Sequence, residues 1–250
     1  MTFRNVALSL SRALFIAADT SVSESHLGSE RLLEPLFAFP LLPPNLYTDS
    51  LFVDAKVKGL VNRTHLRFPK ADVRKVDLVE ERHIDHRLLL ELATGAYVRH
   101  RTNIVFHGMT GSGKSYLMCA LAKESCHQQR RCLYMRIPNL VENWEESKKK
   151  AKGETKLLTK LTNYDVLCLD EWLFDPPEPG FRSFLFELIE RRYDASPTLL
   201  CTQYPKKDWH QRLGGGVHAD AIMDRIVHNA VWYYAGDVNM REHYGKDLGE

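Results

Sequence analysis

The residues with the clearest chemical potential lie in Gly108–Ser115, which fits the pattern G-x-x-x-x-G-K-[ST]. This segment follows an apolar stretch, Asn103–His107, that is typical of a strand, and it precedes a helical pattern, Tyr116–Gln128. Glycines let backbone N–H groups turn toward phosphate oxygens, and the following helix directs its positive end there. We therefore expect Lys114 to reach the β- and γ-phosphates of ATP and Ser115 to bind Mg²⁺.

The whole phosphate motif is predicted to surround the nucleotide, together with the residue that follows it. These predicted nucleotide contacts are Gly108, Met109, Thr110, Gly111, Ser112, Gly113, Lys114, Ser115 and Tyr116. The alternative is a glycine-rich turn that merely connects a strand to a helix. The position of the motif between those two patterns favours the phosphate site.

Two adjacent acids end a second apolar stretch, Asp165–Asp170, and Glu171 is the second of the two. We expect Asp170 to bind the Mg²⁺ shell and Glu171 to orient and polarise the attacking water. Such a pair could instead be a solvated turn. Beside a phosphate motif, the two acids favour ATP hydrolysis over phosphate transfer by a small-molecule kinase.

The elements that must position these residues alternate between strand and helix, which predicts a parallel sheet covered on both faces. The predicted strands are Asn103–His107, Leu133–Met135, Asp165–Asp170, Thr198–Thr202 and Val231–Tyr234. The predicted fold is an α/β P-loop NTPase whose ATPase domain covers residues 81–250. Residues 1–80, with the proline-rich stretch Phe39–Pro44, are predicted to form an irregular N-terminal appendage that could bind a partner.

Composition narrows the class of protein. The 250 residues are 44% hydrophobic, which is enough for a sizeable core, and the net charge of +2 means that any DNA-binding surface must be local. The five cysteines form no C-x-x-C pair and suggest reduced thiols of a cytoplasmic protein. No apolar run suggests a membrane span.

Residues Met1–Ala18 share the acid-free pattern of organellar transit peptides, but a short amphipathic helix or a poorly ordered segment is favoured.

Several further runs accompany these motifs: Asp208-Trp209-His210, His218–Ala230, Asn239-Met240-Arg241 and, upstream, His83–Leu92. Together they resemble the IstB family of ATP-dependent transposition helpers, which are relatives of the DnaC helicase loaders. The resemblance covers roughly Lys56 to Arg241. It implies an AAA+ module that acts as a homo-oligomer on DNA, with a transposase as partner. Residues 1–50 show little of the helical N-terminal region of that family.

The resemblance also implies roles for three polar residues. Gln203, after the strand beside the Asp170 strand, would sense the γ-phosphate. Arg225 would be the arginine finger that reaches the nucleotide of a neighbouring subunit, and Arg241 would be the second sensor arginine in its own subunit. Arg225 could instead make surface ion pairs with Asp220 or Asp224.

A lysine patch lies in an insertion that faces DNA in AAA+ relatives. Its members are Lys148, Lys149, Lys150 and Lys152. These lysines are expected to bind backbone phosphates without reading bases. The alternative is a solvated helix face on which Glu145 and Glu146 pair with Lys149 and Lys150.

The sequence therefore predicts an ATP-controlled, DNA-binding helper that recruits or activates a transposase. A DnaC-like helicase loader and a nucleotide-gated scaffold with little turnover are the alternatives.

Overall fold

A computed structural model of the chain describes residues 44–76 and 82–246, with side chains described for 53–76 and 82–244. The described residues belong to one compact unit, Pro44–Glu250. The predictions made for Met1–Ala18 lie outside them. Within the described residues, no helix combines the length and the apolar character needed to cross a membrane.

The first described element is a helix, α1 (Pro44–Thr64), in a part of the chain that was predicted to be irregular. Pro44 occupies the first helical position, where the missing N–H of proline removes no intrahelical hydrogen bond. Leu60 and Thr64 are buried, and the Thr64 hydroxyl donates to the Leu60 carbonyl at 2.9 Å. The prediction of irregular chain is therefore wrong for residues 44–64, because this helix buries side chains in the core. The partner-binding role of residues 1–80 stays a prediction.

The remaining described helices alternate with the strands along the chain. They are a 3₁₀ turn (Val73–Lys75), α2 (His86–Ala93), α3 (Ala96–Arg99), α4 (Lys114–His127), α5 (Ile137–Lys148), α6 (Gly153–Thr162), α7 (Pro179–Arg192), α8 (Lys206–Arg212), α9 (Gly216–Val227) and α10 (Met240–Lys246). Local capping defines several of their ends. At α2, for example, the Asp85 carboxylate accepts a hydrogen bond from the Leu88 amide at 2.8 Å.

The five strands form one parallel sheet in the order β2-β3-β4-β1-β5. The strands are β1 (Asn103–His107), β2 (Cys132–Arg136), β3 (Val166–Asp170), β4 (Thr198–Thr202) and β5 (Ala230–Tyr234). All five predicted strands are present, and the predicted α/β fold with helices on both faces of a parallel sheet is confirmed.

Apolar side chains on both faces of the sheet explain why its strands read as continuous hydrophobic runs. Ile104 and Phe106 contribute to the core on one face, together with helices α1, α2 and α4, whereas Val105 contributes to the core on the other face. Successive side chains of a strand point to opposite faces, so both cores draw on the same strands. All five cysteines are buried and free of disulfides.

Sheet order decides which loops meet. β4 is the middle strand of the sheet, with β1 on one side of it and β3 on the other. Because parallel strands end at the same edge, the segments that follow Phe106, Leu169 and Cys201 are neighbours. The fold thus brings the phosphate motif, the acidic pair and the predicted sensor strand to one edge.

Candidate nucleotide site

A cavity of about 600 Å³ lies at this edge. It is lined by predicted site residues from four separate segments of the chain. Among them are Lys114, Ser115, Asp170, Glu171, Gln203 and Arg241. Residues that are far apart in the sequence therefore share one concave surface, which is the usual setting of a small-molecule site.

The loop before α4 depends on glycine at two positions. Gly111 and Gly113 have φ values of 86° and 88°, in the left-handed region that side chains disfavour. A Cβ atom on Gly111 would lie 2.0 Å from the Asn239 side-chain oxygen, and one on Gly113 would lie 2.8 Å from a terminal nitrogen of Arg82. Both positions therefore need glycine for backbone conformation, and a side chain there would also displace Asn239 or Arg82.

Lys114 folds back over the loop that precedes it. Its ammonium group donates to the carbonyl oxygens of Gly108 at 2.9 Å and Met109 at 2.7 Å. Burial lowers the pKa of Lys114. The neighbouring Ser112 hydroxyl is buried and has no hydrogen-bond partner among the described residues, while the Ser112 carbonyl accepts from Arg82 at 2.9 Å. The loop thus points a lysine and a buried hydroxyl toward its own centre.

Asp170 is almost fully buried at the end of β3, with 2% of its surface exposed. One carboxylate oxygen accepts a hydrogen bond from the Tyr134 hydroxyl at 2.6 Å, and the other accepts from the Glu171 amide at 2.9 Å. Burial and the Asp170 charge raise the pKa of Tyr134, so the phenol keeps its proton and donates. Asp170 is therefore fixed in orientation by two donors.

Glu171 is held by arginines from two different segments. Arg136 donates from Nε at 3.0 Å and from a terminal nitrogen at 2.8 Å, one bond to each carboxylate oxygen. Arg67 lies 3.8 Å from Glu171 and 3.9 Å from Asp170, within ion-pair range of both acids. The hydrogen bond to Glu171 raises the pKa of Arg136.

The backbone turn at Glu171 is constrained. Glu171 has a φ of 63°, a left-handed conformation that is uncommon for a side-chain-bearing residue. The next amide, that of Trp172, donates to the Cys201 carbonyl on β4 at 2.7 Å. The chain therefore turns sharply after β3 and is tied to the neighbouring strand, which directs the Glu171 carboxylate into the cavity.

Tyr134, Arg136 and Arg67 were not predicted as site residues. Arg136 ends β2 in register with Asp170 on β3, and Tyr134 precedes it by two residues on the same face. A polar residue that ends the strand beside the acidic pair was the available signal for Arg136. No sequence pattern pointed to Arg67, because an irregular segment carries it to the site.

Two of the residues assigned by resemblance lie beside the phosphate loop. Gln203 accepts a hydrogen bond from the Thr110 hydroxyl at 2.8 Å. Arg241 lines the cavity from α10, whose first amide, that of Met240, donates to the Gly111 carbonyl at 3.0 Å. Both positions suit contact with a nucleotide bound in the same subunit.

Arg225 does not line this cavity. It lies on α9, where its guanidinium pairs with the Glu190 carboxylate of α7. The expected alternative partners pair elsewhere: Asp220 contacts His210 at 3.2 Å, and Asp224 contacts His228 at 3.6 Å. Arg225 therefore forms an ion pair, as the alternative interpretation expects, but its partner is Glu190 and not Asp220 or Asp224.

The lysine patch also lies outside the cavity, at the end of α5 and in the connection to α6. Lys148 pairs with Glu145 at 2.7 Å, and its ammonium group lies 3.7 Å above the Trp144 ring centre. Lys149, Lys150 and Lys152 are exposed, and no described carboxylate forms an ion pair with them. The alternative, in which Glu145 and Glu146 pair with Lys149 and Lys150, is wrong in its partners, since Glu145 pairs with Lys148.

Positive charge predominates around the cavity. Six basic side chains line it, against the acidic pair Asp170 and Glu171. The basic residues are Arg67, Lys75, Arg82, Lys114, Arg136 and Arg241. Such a balance suits a polyanion that enters with a cation, because the acids bind the cation and the basic residues bind the anion.

The family described as IstB-like ATP binding protein matches residues 51–244 of this chain. The chain belongs to the IstB-like ATP-binding protein family. The predicted resemblance to that family is confirmed, and its match includes the phosphate loop, the acidic pair and the segments that carry Gln203, Arg225 and Arg241.

Two relatives are named as insertion sequence ATP-binding proteins. One, y4pL of Sinorhizobium fredii, is 36% identical over 172 residues, which cover 66% of this chain and 69% of the relative. The other, from IS21 of Pseudomonas aeruginosa, is 31% identical over 147 residues, which cover 59% of this chain and 55% of the relative. The chain therefore matches little more than half the length of the second IstB-like relative.

A crystal structure of the DnaC helicase loader has the same fold. It superposes with a TM-score of 0.57 at 20% identity and covers 67% of this chain and 98% of that chain. At this identity the likeness is one of fold, and it agrees with the predicted AAA+ type of P-loop architecture.

Proposed function

We propose that this chain is an ATPase that assembles on DNA and recruits or activates a transposase. The observation that carries the proposal is the single cavity in which Lys114 and Ser115 face Asp170 and Glu171. Membership of an ATP-binding family and its insertion-sequence relatives supports the choice of nucleotide and of process.

The phosphate end of ATP would lie in the loop before α4. There the Lys114 ammonium, now bonded to neutral carbonyls of Gly108 and Met109, would exchange them for β- and γ-phosphate oxygens, because a charged acceptor makes the stronger hydrogen bond. Phe68 and Tyr116, whose ring centres are 6.0 Å apart, line the same cavity and could contact the base.

The donor set fits Mg²⁺, which prefers hard oxygen ligands and usually keeps several waters. Ser115 and Asp170, from two separate segments that line the cavity, would supply a hydroxyl and a carboxylate oxygen. When bound, Mg²⁺ neutralises charge on the β- and γ-phosphates. Two protein ligands would leave the remaining Mg²⁺ positions to phosphate oxygens and water.

Hydrolysis would use Glu171. Its carboxylate would orient a water toward the γ-phosphorus, so that a new oxygen–phosphorus bond forms as the β–γ bridge bond breaks and ADP leaves. The water proton passes to the carboxylate or to the departing phosphate. Gln203 and Arg241 would contact the γ-phosphate in the same subunit, and Arg225 would serve the nucleotide of a neighbouring copy.

DNA contact is assigned to the lysine patch. Lys149, Lys150 and Lys152 are exposed and have no described carboxylate partner, so each can release counterions from a phosphate backbone. The contact would be independent of sequence and sensitive to salt. The likeness to the DnaC helicase loader is one of fold and adds no second function.

One experiment tests the core of the proposal. ATP binding, ATP turnover with and without duplex DNA, and the mass of the assembly are measured for the wild type and for Lys114→Ala. We expect the wild type to bind ATP and to hydrolyse it faster when duplex DNA is present. We expect Lys114→Ala to lose nucleotide binding. Lys123→Ala, on the same helix with its ammonium bonded to the Ala71 carbonyl, is the control. Normal ATP affinity in Lys114→Ala refutes the phosphate site.

A further inference from the structure

A segment between α1 and α2 crosses the helix that follows the phosphate loop and enters the candidate site. Leu66, Ala71 and Val73 of this segment are buried in the same core as α4. The Ala71 carbonyl accepts from Lys123 of α4 at 3.1 Å. Residues 66–73 are thus anchored at both ends against one helix, and the part between the anchors faces the cavity.

Arg67 and Phe68 lie between these anchors. Both line the cavity, and the Arg67 guanidinium carbon lies 5.6 Å from the centre of the Phe68 ring. Arg67 reaches the two acids at 3.8 and 3.9 Å. Its side chain is 40% exposed, whereas the Asp170 side chain it approaches is 3% exposed. A partly solvated cation therefore faces a buried, oriented carboxylate.

The distances distinguish Arg67 from the other partners of the acids. Tyr134 and Arg136 make hydrogen bonds of 2.6 to 3.0 Å to Asp170 and Glu171, whereas Arg67 approaches only to ion-pair distance. Tyr134 and Arg136 are also held by a strand. Of these three partners of the acids, Arg67 is therefore the easiest for another cation to displace, because its displacement breaks no close hydrogen bond to the acids.

We propose that Arg67 is a positioning residue that competes with Mg²⁺ for Asp170 and Glu171, so that metal loading is coupled to the position of residues 66–73. This inference rests on the proposed ATP site. A divalent cation beside Asp170 repels a guanidinium that lies within 4 Å of the same carboxylate. Arg67 leaves the acids when Mg²⁺ arrives, and the segment that carries it shifts over α4.

The test measures how much Mg²⁺ nucleotide binding requires, with no turnover. A fluorescent, non-hydrolysable ATP analogue is titrated at increasing Mg²⁺ in the wild type, Arg67→Gln, Arg67→Lys and Arg74→Gln. Arg74 is the matched control, since it lies on the same segment and pairs with Asp72 at 3.1 Å. We expect Arg67→Gln to need about twofold to fivefold less Mg²⁺ for half-saturation, as for loss of an exposed ion pair. Arg67→Lys and Arg74→Gln stay near the wild type.

Hydrogen exchange gives a second, independent measurement. We expect that, in the wild type, adding Mg²⁺ to the analogue complex raises exchange of the amides of residues 66–68 and 70, since residue 69 is a proline without an amide hydrogen. Arg67→Gln should already have the raised rate without Mg²⁺. A thermal unfolding scan shows that each variant is folded.

The outcomes separate the two proposals. An unchanged Mg²⁺ requirement in Arg67→Gln, or no exchange difference, overturns the competition, and the ATP site survives. A higher Mg²⁺ requirement also overturns it and makes Arg67 a phosphate ligand. If the wild type fails to bind the analogue at any Mg²⁺ concentration, the proposed ATP site is wrong and this inference falls with it.

Discussion

The hydroxyl of Tyr134 should contribute more to stability than an ordinary buried tyrosine hydroxyl. It is the one described side-chain hydroxyl that donates to Asp170, at 2.6 Å, and the carboxylate is almost fully buried. Tyr134→Phe removes only that oxygen. It leaves a buried, charged acceptor one donor short, and such a loss costs more than removal of a bond between neutral groups.

A second buried tyrosine supplies the scale. The Tyr97 hydroxyl lies 2.7 Å from the Ser125 hydroxyl, and Ser125 also contacts the Leu121 carbonyl at 3.2 Å, so Tyr97→Phe leaves Ser125 with a partner. Loss of a neutral hydrogen bond costs about 1 kcal/mol, and loss of one to a charged group costs about 1.5–3 kcal/mol. For a domain of this size, each kcal/mol lowers Tm by about 2–4 °C.

We therefore expect Tyr97→Phe to lower Tm by about 2–4 °C and Tyr134→Phe to lower it by about 1.5–3 times as much, which is about 3–12 °C. Differential scanning calorimetry at neutral pH without nucleotide gives both values, and urea unfolding checks that the unfolding slope is unchanged. Equal losses in the two variants would falsify the claim that Asp170 is a charged acceptor held by Tyr134.

Three further predictions follow from the candidate site. Glu171→Gln should bind ATP but not hydrolyse it, and should form long-lived complexes with DNA; a filter-binding decay and a phosphate-release assay measure both, and wild-type turnover would assign water activation elsewhere. Replacing Lys148, Lys149 and Lys150 of the lysine patch with Gln should weaken binding to unrelated DNA sequences equally and flatten its salt dependence, whereas unchanged affinity would move the DNA surface elsewhere. Mixing Arg225→Ala with Lys114→Ala should restore part of the ATPase activity; mixed assemblies that stay inactive would rule out a finger that acts in trans.

The parts of the fold that sequence predicted are those set by local pattern. The phosphate loop depends on Gly111 and Gly113, whose left-handed φ values suit glycine, and on a strand and a helix that adjoin it. The acidic pair directly follows an apolar strand in the same way. Buried parallel strands are continuous apolar runs, so the sheet could also be predicted before its strand order was known.

The partners of the acids depend on contacts that local pattern does not record. Arg136 reaches Glu171 only because β2 and β3 are adjacent and in a particular register. Arg67 reaches both acids because an irregular segment is anchored across α4. Helix α1 was missed for a related reason, since burial of Leu60 against the rest of the domain stabilises it more than its own sequence pattern suggests.

The ion pair of Arg225 is compatible with the arginine-finger role that the family resemblance implies. Its guanidinium pairs with Glu190, but the two side chains are 24% and 43% exposed. An ion pair with that much solvent contact stabilises the fold by about 0–1 kcal/mol, whereas an arginine finger can lower a phosphoryl-transfer barrier by a rate factor of about 10³–10⁵. If Arg225 exchanged Glu190 for a phosphate bound to a neighbouring copy, the loss of fold stability would therefore be small, whereas the gain in hydrolysis rate would be large. The guanidinium also donates to the Ala221 carbonyl at 3.1 Å and lies 5.4 Å from the centre of the Phe186 ring, so the exchange would replace one of its contacts and not all of them.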